Sequence, residues 1–204
     1  MTKKQESTYH HGDLRASLIE VAALMIAEKG IDGLTMRGLA ERVGVSQTAP
    51  YRHFKDKTAI LAAVAEDGFN RLAELTIHIR QQKDMGIVAR FCEIYLGYIE
   101  FATQNPAHYR LMFGRELGNW KEAHLSLVAA STTALNEVVE IIRMCQEAGQ
   151  IKSGAPLMYA LVLFAELHGL AMLIIDDRMG MVDTIQDLVE FAVRNFLEGA
   201  GQGE

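Results

Sequence analysis

TMRGLAERVGVSQTAPYRHFKDK, residues 35–57, decides how the rest of the chain is read. Thr35 has the side-chain oxygen that a helix N-terminus needs. Met36, Leu39, Ala40 and Val43 fall at i, i+3, i+4 and i+7, so a short helix with one apolar face is expected, with Arg37, Glu41 and Arg42 pointing elsewhere. Gly44 supplies a left-handed residue that ends a helix without a Cβ clash, and Val45 is an apolar anchor just beyond it. Ser46 is placed to cap a second helix from about Gln47 to Phe54. Two helices joined by so short a turn must cross steeply, which is the helix-turn-helix geometry. In that arrangement the start of the second helix presents side chains to base edges in the major groove of DNA. Pro50 stands at the fourth position of the second helix, where it lacks the first intrahelical N–H and crowds Ala49 out of ideal dihedrals. A distorted first turn is expected.

Outward from this stretch the pattern is helical throughout, so the fold class is all-α. A helix from about Leu14 to Lys29 buries Leu14, Leu18, Val21, Ala22 and Met25 and stops at Gly30. Asp56 or Lys57 opens a helix that continues to about Gln81, long enough to begin in the head, end in the body and transmit a displacement. Further helices are expected at 87–104, around 108–113, at about 122–148, at 156–175 and at 183–197. The helix at 156–175 is apolar nearly all round, which predicts burial on every side by its own domain and a second chain. The expected division is a DNA-binding head at 1–57 with a flexible arm at 1–9, a helical body at 58–199, and a disordered tail at 200–204.

Composition excludes some classes. The chain has 204 residues and is 50% apolar, enough for a substantial core. No apolar run reaches the ~18 residues of a membrane span, and the polar KKQEST start has no signal-peptide core, so a cytoplasmic protein without membrane contact is expected. The net charge of −6 is unevenly spread. Residues 1–60 carry nine Lys/Arg against seven Asp/Glu, and the remainder carries eleven against nineteen, which leaves an acidic body behind a basic head. Cys92 and Cys145 are far apart, without a C-x-x-C or metal-spaced His. They read as small buried hydrophobes, with a redox disulfide as the alternative. No metal site or cofactor is expected; His10 and His11 lack a spaced carboxylate or Cys partner. G-x-S-x-G, H-E-x-x-H and a phosphate-cradling glycine loop are all missing, so no catalytic residues are assigned.

The opening YHHGDLR at 9–15, EKG at 28–30, LTMRGLAERVGVS at 34–46 and YRHFKDKTAIL at 51–61 together resemble TetR-type (tetracycline-repressor-like) transcriptional regulators. NPAHYRLMFG at 105–114 and LFAELHGLAML at 163–173 resemble the C-terminal domain of one branch, often marked by a Trp-His-Gly pattern; Phe164 stands in place of the Trp, with His168 and Gly169 retained. The resemblance implies that Gln47, Thr48 and Ala49 face base edges, and that Tyr51, His53, Lys57 and Thr35 touch phosphates. Ser46 and Arg52 complete the candidate DNA set. The chemistry suits those places. Gln bonds adenine bidentately, the methyls of Thr and Ala suit a thymine methyl, and hydroxyl, imidazole and ammonium donate to phosphate oxygens. Lys3 and Lys4 add non-specific contact.

The resemblance further implies a homodimer through the last two helices that represses a palindromic double-stranded DNA operator and is released by a small apolar or amphipathic effector. The candidate ligand residues are Phe91, Tyr95, Tyr98, Met112, Trp120, Phe164 and Met172, with Glu166 or His168 as a polar handle. Plain core packing is the competing reading for each. Two alternatives stay open for the whole chain. One is a helical interaction module with a vestigial head, and the other is a regulator without a small-molecule effector; sequence-specific, salt-steep DNA binding argues against the first.

Overall fold

A computed structural model describes residues 14–115, 117, 124–179 and 184–200. The arm at 1–9, Lys3, Lys4, His10, His11, Trp120 and residues 201–204 of the tail lie outside the described residues. Every regular element among those described is helical, and the chain divides into two compact units, Met1–Val64 and Ala65–Glu204.

The first unit holds α1 (Leu14–Lys29), a 3₁₀ turn at Ile31–Gly33, α2 (Met36–Val43), a 3₁₀ turn at Pro50–Arg52 and the opening turns of α3 (Lys57–Arg80). α1 buries Leu18, Ile19, Ala22, Ala23, Met25 and Ile26, the spacing of one helical face, and packs against α2 through Met36, Leu39, Ala40 and Val43. Thr35 Oγ1 accepts the Gly38 N–H at 3.0 Å, which satisfies one of the orphan donors of α2. At the other end Gly44 has φ +80°. Its N–H reaches the Glu41 carbonyl at 3.1 Å while Val45 N–H reaches that of Ala40 at 3.0 Å, a Schellman closure that a side chain at position 44 would strain. The Arg42 guanidinium grips both oxygens of Glu28, tying α2 to α1.

The second unit continues α3 and adds α4 (Ile87–Gln104), α5 (Pro106–Phe113), α6 (Leu125–Glu147), α7 (Pro156–Ile175) and α8 (Ile185–Ala200). α4 is its centre and packs against α5, α6, α7 and α8. Its buried stripe of Phe91, Tyr95, Ile99 and Ala102 meets Ile141, Ile142 and Cys145 of α6, Ala160, Leu163, Leu167 and Ala171 of α7, and Val189, Ala192, Val193 and Phe196 of α8. Cys145 is therefore a core residue, its thiol pushed up to about 11 by burial, and Cys92 is half-buried; both are free. α8 runs to Ala200, beyond its expected end at Leu197, which puts the first tail residue in a helix.

α7 does not show burial on every side. Leu157, Met158, Leu161, Val162 and Leu173 are exposed within the chain, as is Phe191 on α8. α6 and α7 are also long and apolar enough, by length and composition, to cross a membrane. The run-based expectation missed this because Glu166 and His168 interrupt α7 without lowering its average much. Such a signal is weak in a helix that also contributes to a packed core.

Candidate nucleic-acid interface

The segment after α2 departs from the expected second helix. Gln47 and Thr48 form a turn, and only Pro50–Arg52 is regular, as one 3₁₀ turn. Pro50 has no N–H to give the Ser46 carbonyl, which takes the Ala49 N–H instead at 2.9 Å. Arg52 then bonds Ala49 at 3.1 Å and His53 bonds Pro50 at 3.0 Å, all with i→i−3 spacing, until Phe54 closes on Pro50 at 2.9 Å. The distortion lies in this tightened ladder and not in Ala49, whose φ −62° and ψ −45° are ordinary helical values. Ser46 also departs from its expected role. Its hydroxyl pairs with Thr48 Oγ1 at 3.3 Å and caps no backbone N–H in the described bonds.

The tight turn sorts the side chains. Ala49 and Pro50 are buried, and Phe54 is core, covered by the Arg15 guanidinium 5.4 Å from its ring centroid. Outward go Ser46, Gln47, Thr48, Arg52 and His53, and Tyr51, which is 56% exposed. Thr35 is exposed at the start of α2, so its hydroxyl serves the cap while its other side faces solvent. Lys57 opens α3 beside Asp56, whose carboxylate accepts the Ala59 N–H at 2.9 Å. That cap uses one of the donors that an anion at this helix start would otherwise meet. Ala49 alone among the candidate DNA residues is turned inward, and it offers little surface to a base.

The body candidates separate into different places. Phe91 stacks on Phe196 with ring centroids 5.6 Å apart, and Met112 is 3% exposed. Tyr98, Phe164 and His168 belong to an aromatic cluster with Phe69, Tyr109 and Phe113, and Met172 packs at the edge of the core. Tyr98 Oη lies 3.0 Å from Tyr109 Oη, which lies 2.8 Å from His168 Nδ1. Tyr95 and Glu166 form a second polar spot. The Tyr95 hydroxyl is buried without a hydrogen-bond partner; burial first, then the Glu166 charge, raises its pKa, and burial raises that of the Glu166 carboxyl. A groove of about 340 Å³ lies elsewhere, between Met158, Tyr159 and Val162 of α7 and Asn195, Phe196 and Gly199 of α8, and none of the candidate ligand residues lines it.

Sequence reading missed Tyr109, the centre of the aromatic cluster, and the close approach of His108 Nε2 on α5 to Asp67 Oδ2 on α3, 3.3 Å apart. No local signal marks them, because each is defined by a neighbour distant in the chain.

Residues 18–64 match the family model described as bacterial regulatory proteins, tetR family, and residues 91–196 match the tetracyclin repressor-like, C-terminal domain. The chain belongs to the TetR family of DNA-binding transcriptional regulators, and its family and fold are not those of enzymes. Over 66 residues it is 47% identical to tetracycline repressor protein class A from transposon 1721 of Escherichia coli. That match takes in 32% of this chain and about a quarter of the repressor's length, 26%. The uncharacterized HTH-type transcriptional regulator YobS of Bacillus subtilis is 22% identical over 186 residues, 89% of this chain and 90% of that one. Among solved structures, a protein of unknown function from Rhodococcus sp. RHA1 is 34% identical, with a TM-score of 0.83 over 97% of this chain and all of that one. The regulator FadR from Bacillus subtilis, solved in complex with stearoyl-CoA, shares the fold at a TM-score of 0.73 and 16% identity, over 90% and 98% of the two chains.

Proposed function

We propose that this protein is a homodimeric, cytoplasmic repressor that reads a palindromic operator with the surface from Gln47 to His53 of each chain. The observation that carries the reading is the turn at Pro50. It buries Ala49, Pro50 and Phe54 and so drives Gln47, Thr48, Tyr51, Arg52 and His53 outward together, beside Lys57 at the start of α3. Gln47 and Thr48 read base edges, while Tyr51, His53, Lys57 and Thr35 hold phosphates and fix the register. Ser46 and Arg52 stand at the margin of that surface.

Dimerisation joins the exposed apolar faces of α7 and α8, whose Met158, Leu161, Val162 and Phe191 are otherwise left in water. Two heads on a two-fold axis then meet half-sites about 34–36 Å apart or a multiple of that. A small apolar or amphipathic effector bound within the second unit, with Tyr95 and Glu166 or His168 as its polar anchor, releases the operator. It does so by its ratio of affinities for the bound and free states.

Selection of binding sites from random double-stranded DNA, followed by titration of the recovered site at two salt concentrations, tests this. A palindrome bound by two chains with a steep salt slope supports the reading. Enrichment of no sequence, or uniform binding to all DNA, overturns it in favour of a protein-interaction module.

A further inference from the structure

The polar groups inside the second unit are of two kinds. Those of Tyr98, Tyr109 and His168 satisfy one another, at 3.0 and 2.8 Å. Tyr95 and Glu166 are left without such partners. Tyr95 is 1% exposed, yet its hydroxyl makes no hydrogen bond, which is costly for a buried polar group. Its pKa is raised by burial first and then by the Glu166 carboxylate on α7, so the two groups are neighbours without being bonded. Glu166 is the only Asp, Glu, Lys or Arg in α7 and is half-buried, and among the described residues no Lys, Arg or His pairs with it. A carboxylate on so apolar a helix is also costly to keep without a cation.

The surroundings set the sign of the charge that suits this spot. Cys92, one turn before Tyr95 on α4, has its thiol pKa raised by burial first and then by the charges of Glu190 on α8 and Glu93. With Glu166, three carboxylates lie about this part of α4, and an approaching anion meets repulsion. Arg90 and Arg194 are the only basic residues of α4 and α8; Arg90 donates to the Arg80 carbonyl at 2.8 Å and Arg194 is exposed. An apolar tail has a place alongside. The groove of about 340 Å³ between α7 and α8 has Val162 and Phe196 among its walls. Val162 is one turn, about 5–6 Å, from Glu166 on α7, and Phe196 stacks on Phe91, one turn from Tyr95 on α4. The groove and the polar pair are therefore neighbours.

We propose that the groove and the Tyr95–Glu166 pair form one site for an amphipathic amine, its hydrocarbon tail in the groove and its ammonium group donating to Glu166 and Tyr95. An ammonium head has three N–H donors and no acceptor, so the phenol oxygen and the carboxylate can both receive from it, and its charge supplies the cation that Glu166 lacks. The proposal names the chemistry of the effector proposed above and rests on that reading for its consequence at the operator, though not for binding itself. Met158 and Val162 also belong to the proposed subunit contact, so a ligand in the groove alters the surface that a second copy meets.

The full chain is titrated calorimetrically with decylamine, decanol and decanoate, one tail with three heads, and with ethylamine, which has the head and almost no tail. Tm and sedimentation are followed alongside. Decylamine is expected to bind at least about tenfold more tightly than decanoate, with decanol between them and ethylamine not measurable. Glu166→Gln should bring decylamine and decanoate within about threefold of each other. Tyr95→Phe should weaken decylamine binding about tenfold at unchanged Tm, because the lost hydroxyl had no partner within the protein. Equal binding of amine and carboxylate by the wild type, or a preference that survives in Glu166→Gln, overturns the proposal. So does a chain that takes up no decylamine, a result that in a dimer assigns the groove to the second copy. Operator titration separates the two readings: decylamine that binds without weakening the operator complex supports the site and overturns only its role as effector.

Discussion

Tyr109 Oη lies 2.8 Å from His168 Nδ1, although the two residues are 59 positions apart in the chain. The same oxygen lies 3.0 Å from Tyr98 Oη, so a chain of hydrogen bonds links Tyr98, Tyr109 and His168. A neutral His168 with its proton on Nε2 is the form able to accept from Tyr109 at Nδ1. Burial lowers its pKa from the usual histidine value, in the same direction.

Acidification should expose that arrangement. A histidine whose pKa is depressed by folding binds fewer protons in the native state than in the unfolded chain, so its contribution is present above the unfolded pKa of about 6.5 and is lost as pH falls below it. Denaturant unfolding at pH 7.5 and pH 5.5 is expected to show a smaller decline for His168→Gln than for the wild type. An identical decline in both would mean that His168 plays no part in it.

Removing the middle hydroxyl should cost more than its small volume suggests. Tyr109→Phe keeps the ring contacts with Phe113 and His168 but strands the Tyr98 hydroxyl and His168 Nδ1, at about 1–3 kcal/mol of stability. Urea unfolding of the variant reads the loss directly.

The DNA surface can be separated from the fold. Tyr51→Ala replaces an exposed residue and Lys57→Ala a half-buried one at the start of α3, neither in the core, so stability is expected to change by only about 0.5 kcal/mol. Operator binding should fall in both variants. For Lys57→Ala the plot of log affinity against log salt should also flatten by about one unit, the mark of one lost phosphate contact.

Gly44 has a cost that is local and independent of DNA. At φ +80° it closes α2, and Gly44→Ala is expected to lose about 1–2 kcal/mol because a Cβ there meets the following carbonyl. Thermal melting checks this, and wild-type stability in the variant would show that the turn relaxes.

Val162→Glu and Phe191→Glu address the apolar faces of α7 and α8. Both side chains are 61% exposed in the single chain, so a charge at either should leave helicity intact while shifting sedimentation toward the monomer. A variant that still sediments as a dimer would place the subunit contact elsewhere.

The head was legible because its signals are local. Thr35 caps α2, Gly44 ends it and the spacing of Leu39, Ala40 and Val43 gives it a buried face, each decided within about one helical turn. The same holds for α4 and α7, whose ends at Ile87 and Gln104 and at Pro156 and Ile175 coincide with the expected bounds. Pro50 was read correctly as a disturbance, but its extent was not, because the missing N–H shifts the whole ladder from Ser46 to His53 into 3₁₀ spacing.

Caps, breakers and the period of apolar residues thus determined the helices, the head and the family, since each acts through neighbours on the same turn. Tertiary structure alone decided that Tyr109 meets His168, that Met112 rests on Gly68 and that Arg80 is held by Glu137, 57 residues away. The physical reason is that a polar or close-packed contact depends on the angle and distance at which two helices cross. Those are set by the summed packing of the whole core, for which no single stretch of sequence carries a signal.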